Sequence, residues 1–275
     1  MLLAAGERPS VLSRGYARED ASAIVVVRDA HGVRADLRRA GDEPLMLARR
    51  LPGAVVIVGA DRHAAGRLAE SRFDCTVHVL DDGFQHLRLH RDIDLVSVSA
   101  QDFARPVTLP AGRLREPIGA LNTATAVIAL DADPAAVHVR TKVWRARRAL
   151  EAARLVEPPG CPVTPSTGSV VAFAGIAAPE RFFDDLRTLG WPLARTLAFR
   201  DHHPYSRDDV ARILAIAAEE AAAMLVTTEK DVVRLLRFRP FALPVAYLPL
   251  SIAIEQSDEF DRWLLALLGE ARGTA

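Results

Sequence analysis

The chain has 275 residues, half of them hydrophobic and a quarter charged, enough to bury a substantial core in one large or two modest domains. Its 35 Lys and Arg balance 35 Asp and Glu, so no global basic field argues for nucleic acid and any anionic ligand must be met locally. Cys75 and Cys161 stand far apart without a Cys/His cluster, which argues against a disulfide framework or zinc site, and no apolar run approaches transmembrane length.

The two isolated cysteines fit a reducing cytoplasm, and the N-terminal stretch MLLAAGERPSVLSRGY lacks the pattern of a signal peptide. Short β-branched runs predict strands over Pro9–Ser13, Ala23–Arg28, Ala54–Val58, Val77–Leu80, Ile93–Val98 and Thr125–Leu130. Apolar positions three and four apart predict helices over Glu43–Leu51 and Asp61–Arg72. That alternation implies an α/β fold with a largely parallel sheet flanked by helices. From Ala135 to Leu155 the pattern turns basic and loses its alternation, and 157–169 is rich in Pro, Gly, Ser and Thr. The expected division is a domain over 1–135, a linker over 136–164 and a smaller α/β domain over 165–275. The latter is predicted to hold strands Val170–Ala174 and Met224–Thr227, with helices near Pro179–Leu189 and Ser206–Ala222.

Several clusters of polar residues interrupt these elements. In HVLDDGFQH, Asp81 and Asp82 follow a predicted strand of a parallel sheet, where ligands gather, and could hold magnesium; they could equally form a polar turn around Gly83. Gln85 and His86 would face the same crevice. Asp42, at the start of a predicted helix with Glu43 and Pro44 behind it, reads either as a helix cap or as a general base toward a hydroxyl. Arg113, Arg115 and Glu116 lie in a loop after the fifth strand, where arginines suit phosphate oxygens and a glutamate suits a metal. Asp201, His202 and His203 precede the helix expected from Ser206.

In this order the motifs VLSRGY (11–16), GDEP (41–44), LDDGFQH (80–86), RDIDL (91–95), LPAGRLREP (109–117), FAGIAAPERFFDDLRTLG (173–190), FRDHHPYS (199–206) and TTEKDVVRL (227–235) span nearly the whole chain. Together they resemble the tetraacyldisaccharide 4'-kinase family, which phosphorylates the lipid A disaccharide precursor. The resemblance implies a P-loop-kinase-like fold, ATP and Mg2+ as cofactors, and peripheral contact with the cytoplasmic face of the inner membrane. It implies that Asp42 is the base toward the sugar 4'-hydroxyl, paired with His202, and ranks His203 lower. Asp81, Asp82 and Glu116 become the metal-side acids, Gln85, His86 and Arg115 line the nucleotide and phosphate cleft, and Arg14 and Tyr16 border the acceptor sugar. The motif loops are expected to converge on one cleft.

Family members also carry a Gly-rich phosphate loop ending in Gly-Lys-Thr upstream of VLSRGY, and no GxxxxGK[ST] occurs in these 275 residues. Met1 to Ala5 then reads as the last turns of the helix after that loop, with Gly6 as its stop. On this reading the chain is a shortened, inactive kinase, and the loss of an inner strand would uncover Val11, Leu12 and Val79. The alternatives are a non-catalytic lipid-sugar-binding or scaffold protein and, more remotely, a metal-dependent hydrolase using Asp42, His202 and the Asp81-Asp82 pair.

Overall fold

In the computed structural model, which describes residues 1–16, 18–134, 139–165 and 168–273, a first sheet gathers Pro9–Ser13 (β1), Val25–Asp29 (β2), Gly32–Val33 (β3), Val55–Val58 (β4) and Val77–Leu80 (β5). Their spatial order is β3-β2-β4-β1-β5. β1 runs parallel to β4, pairing Ser10 with Val55 through Ser13 with Val58. The period of two along these strands divides the apolar residues between two faces. Val11, Val56 and Val58 pack with Leu45 and Ala48 of the helix Asp42–Arg50 (α2), which follows the short Leu37–Ala40 (α1). Leu12, Val55 and Ile57 pack with Ala65 and Ala69 of Arg62–Phe73 (α3).

One expectation is refined here and one is corrected. β2 is antiparallel to β4 and forms a hairpin with β3, so this sheet has an antiparallel edge. Only Ala30 and His31 separate β2 from β3, far too few residues for a parallel crossover. Val11 and Leu12 are buried, because β1 lies between β4 and β5 and is covered on both faces; Val79 alone of the three named residues is exposed.

The next strands, Leu95–Ser99 (β6), Ala126–Leu130 (β7) and Lys142–Leu150 (β8), run parallel, with Leu250–Ile254 beside β8. Ala100–Ala104 (α4) follows β6 under a capping box made by Ser99 and Asp102. The C-terminal helix Ser257–Gly273 contributes Phe260 to the core around Trp144, whose ring it meets edge-on at 5.3 Å. β8 falls inside the expected linker. Trp144 and Ala146 point inward while Arg145 and Arg147 pair outward with Glu255, so the alternation exists but is carried by few apolar side chains.

A third sheet, in the order β10-β9-β14-β13-β11-β12, comprises Ala153–Leu155 (β9), Pro162–Val163 (β10), Val170–Ala174 (β11), Leu193–Ala198 (β12), Met224–Thr228 (β13) and Val245–Leu248 (β14). β11 to β14 are parallel, and β9 and β10 add an antiparallel edge. Pro179–Thr188 (α5) covers one face; Arg207–Glu219 (α6) and Glu229–Leu235 (α7) cover the other. Val233 of α7 also joins the core beneath α2.

Contacts gather the chain into two compact units, one of Arg8–Val79 and Leu150–Leu250, the other of Met1–Glu7, Leu80–Ala149 and Ser251–Ala275. The chain leaves the first of these units after Val79 and returns to it at Leu150. The expected boundary at 135/136 lies outside the described residues.

Candidate active site

Asp42 opens α2 and is only 6% exposed, held at the end of a loop that two glycines shape. Gly41 precedes it at φ 85°, and a Cβ there would stand 2.8 Å from the Tyr16 carbonyl oxygen. Gly15 has φ 70°, and a Cβ there would meet the Ala40 carbonyl at 2.9 Å. The SRGY and GDEP segments can approach this closely only without side chains at those positions.

Against Asp42 stands His202, from the loop between β12 and α6. Its Nδ1 lies 2.8 Å from Asp42 Oδ2. Asp42 Oδ1 also accepts from the Glu43 amide at 2.9 Å. His202 adopts φ 55°, a left-handed conformation that costs a non-glycine residue of order 1–3 kcal/mol. Its amide donates to Asp201 Oδ1 at 2.9 Å and to the Gly175 carbonyl at 3.2 Å, which hold it there. The Tyr16 ring leans on the imidazole with centroids 5.4 Å apart. Arg14, near it in sequence, is exposed.

α7 closes the arrangement from below with three charged residues. Lys230 Nζ stands 3.1 Å from His202 Nε2 and 3.0 Å from Glu43 Oε1. Arg234, almost wholly buried, brings Nε to 3.5 Å from Asp42 Oδ2 and donates to the carbonyls of Gly175 and His203. Asp231, also buried, accepts from the Gly175 amide and from the Tyr205 hydroxyl at 2.9 Å. Burial, and next the Asp231 charge, push the Tyr205 hydroxyl far above its usual range, so it remains a neutral donor. His203 faces elsewhere: Nε2 lies 3.0 Å from Asp209 and the ring stacks on Phe199 at 4.7 Å.

The other compact unit assembles a second group. Asp82, at φ 50°, places Oδ2 3.0 Å from Arg115 Nη1, which reaches Gln85 Oε1 at 3.2 Å. Gln85 Nε2 in turn donates to Glu116 Oε1 at 2.8 Å. Four residues predicted from two separate motifs thus form one chain of hydrogen bonds. Gly83 makes the preceding turn possible, since a Cβ there would stand 2.4 Å from Leu80 Cβ. His86 is engaged through its backbone, its carbonyl accepting from Arg91 at 2.9 Å. Arg113 turns to Gln101 and Asp102, away from Arg115's partners. No group of three or more His, Cys, Asp or Glu side chains that could hold a metal by themselves occurs among the described residues.

A family model for tetraacyldisaccharide-1-P 4'-kinases matches residues 1–269. The chain belongs to that family. A tetraacyldisaccharide 4'-kinase of Geobacter metallireducens is 42% identical over 243 residues, covering 86% of this chain and 71% of that protein. One from Koribacter versatilis is 39% identical over 256 residues, covering 90% and 75%. The crystal structure of Aquifex aeolicus LpxK in complex with ATP superposes with a TM-score of 0.79 at 26% identity, covering 97% of this chain and 81% of that one. The relatives are named as kinases, and the α/β fold is common to this family member and the crystal structure.

Lys230, Asp231 and Arg234 are the residues of this cluster that sequence reasoning did not assign. They sit in the TTEKDVVRL motif, and the signal was there: Lys230 and Arg234 are one helical turn apart, and Arg234 lies between Val233 and Leu235.

Proposed function

We propose that this family member serves ATP-dependent transfer of the γ-phosphate to the 4'-hydroxyl of the tetraacyldisaccharide 1-phosphate precursor of lipid A. The observation that carries the proposal is the Asp42–His202 pair, a buried carboxylate held at 2.8 Å by an imidazole at the head of a helix. A carboxylate offers roughly four acceptor sites. The Glu43 amide, His202 and Arg234 face three of them, which leaves one for the acceptor hydroxyl. Asp42 takes the hydroxyl proton as the new bond to phosphorus forms, and His202 and Arg234 stabilise its position. Exposed Arg14 and Tyr16 border the sugar.

ATP is the phosphoryl donor, a reading supported by the related Aquifex protein, whose crystal structure is a complex with ATP. Asp82 and Glu116, with Asp81, are the acids that would hold Mg2+. Their hard oxygen donors fit that ion, which takes one or two carboxylates plus substrate phosphates rather than a protein cage. Bound there, the ion would neutralise charge on the transferring phosphoryl group. Arg115, within reach of Asp82 and Gln85, supplies a second positive charge, and Gln85 and His86 line the nucleotide side. No helix among the described residues is long and apolar enough to cross a membrane. The contact with the inner-membrane surface that bears the lipid acceptor is peripheral on this reading.

Phosphate-loop donors contribute both positioning and charge to phosphoryl transfer. We therefore expect residues 1–275 alone to transfer no measurable phosphate from ATP to the tetraacyldisaccharide 1-phosphate. Joining a segment with a GxxxxGKT loop ahead of Met1 should restore transfer. Robust transfer by the 275 residues alone would overturn the requirement for the loop; no transfer by either protein would count against the kinase reading.

A further inference from the structure

We infer that Lys230 is a positioning residue: its ammonium holds His202 in the tautomer whose proton sits on Nδ1, and so leaves the Asp42 carboxylate, not the imidazole, to accept the hydroxyl proton. The second half rests on the kinase reading; the tautomer does not.

The imidazole lies between two groups of opposite hydrogen-bonding character. Nδ1 faces Asp42 Oδ2 at 2.8 Å, and a carboxylate only accepts. Nε2 faces Lys230 Nζ at 3.1 Å, and an ammonium only donates. The neutral ring with its proton on Nδ1 satisfies both contacts. The opposite tautomer turns a lone pair toward the carboxylate and an N–H toward the ammonium. An imidazolium keeps the first contact but sets N–H against ammonium at the second.

Lys230 is itself anchored by carboxylates. Glu43 Oε1 accepts from it at 3.0 Å, and Asp201 Oδ1 lies 3.7 Å away. The side chain is 18% exposed, so these contacts are partly shielded from water. The groups facing the His202 ring are Asp42 from the start of α2, Lys230 from α7, Asp201 from the ring's own loop and the Tyr16 ring, with Arg234 behind Asp42. Asp201 would draw a proton to Nε2, but its oxygen stands 3.8 Å away, beyond hydrogen-bond reach, whereas Lys230 is at 3.1 Å. The nearer donor decides the tautomer.

With its Nε2 lone pair engaged by Lys230, His202 is not free to take a proton from a hydroxyl. Asp42 retains an acceptor site, so Lys230 selects which member of the pair acts as base. Glu43, which anchors Lys230, follows Asp42 directly in α2.

The test is long-range 1H–15N spectroscopy on residues 1–275 labelled with 15N-histidine, with the His202 signals assigned through His202→Gln. Near pH 7 the wild-type ring should carry a proton on Nδ1 and none on Nε2. In Lys230→Met, part of the rings should carry a proton on Nε2 under the same conditions, and Lys230→Arg, which keeps a donor there, should clear it again. A wild-type ring protonated on Nε2 or on both nitrogens near pH 7 would overturn the inference, whether or not any variant folds. So would an Nε2 signal unchanged from wild type in a folded Lys230→Met. Neither measurement depends on phosphate transfer, so failure of the tautomer and failure of the kinase reading are told apart.

Discussion

The Arg234 guanidinium and the Asp42 carboxylate form a buried ion pair with Nε 3.5 Å from Oδ2. Arg234 is 3% exposed and also serves the carbonyls of Gly175 and His203, so one side chain ties α7 to the loops that carry both members of the proposed catalytic pair. Arg234→Met removes the charge partner of Asp42 and leaves two carbonyls without that donor. Breaking a buried pair from one side costs about 3–5 kcal/mol. Denaturant unfolding of Arg234→Met should show a loss of that order, and a change below about 1 kcal/mol would mean that the pair is compensated elsewhere.

Asp209 provides a pH prediction. Hydrogen bonds from the Ser206 amide and then the Ser206 hydroxyl, with His203 adding a smaller contribution, pull its carboxyl down to about 2. A depressed carboxylate contributes stability that is present above its unfolded pKa, about 3.9, and is lost as pH falls through the folded value. Asp209→Asn should therefore be less stable than the wild type at pH 6, and the gap should close between about pH 4 and pH 2. Unfolding curves across that range measure it; a gap unchanged down to pH 2 would contradict the assignment.

Gly41 tests the loop that presents Asp42. Gly41→Ala places a Cβ 2.8 Å from the Tyr16 carbonyl at φ 85°. The substitution should cost on the order of 1–3 kcal/mol, and it should loosen the contact of Tyr16 with His202. A folded, equally stable Gly41→Ala protein would mean that the two loops do not approach this closely.

Much of this arrangement could be anticipated from the residues, and the part that could not has physical reasons. Pro9–Ser13 and Val170–Ala174 are apolar or β-branched runs with turn signals on either side, and both are strands within those bounds. Lys142–Leu150 was unreadable as a strand because Arg145, Arg147 and Arg148 outnumber its inward Trp144 and Ala146, and its parallel neighbour β7 supplies the pairing that its own sequence does not advertise. The two antiparallel edges depend on which strand a hairpin meets, which short-range patterns do not encode. Asp42 and His202 lie 160 residues apart, so only the motif resemblance could pair them before the structure did. The one-turn spacing of Lys230 and Arg234 puts both on one side of α7, but the burial of that side follows from tertiary packing, which the spacing alone does not encode.

The metal-side proposal separates from the base proposal by its kinetics. In a protein with the phosphate loop joined, Asp82→Ala should raise the Mg2+ concentration needed for half-maximal turnover. It also removes the carboxylate that faces Arg115 at 3.0 Å. Identical magnesium dependence in Asp82→Ala and wild type would remove Asp82 from the metal site.

The central claim is that Asp42 removes the proton of the attacking sugar hydroxyl. The most direct measurement is steady-state transfer of γ-phosphate from ATP to the tetraacyldisaccharide 1-phosphate by the loop-bearing protein and its Asp42→Ala variant. A general base contributes on the order of a hundredfold or more in rate, so kcat should fall at least that far with little change in KM for ATP. A kcat within a few fold of wild type, in a variant that unfolds at the same denaturant concentration, would contradict the account.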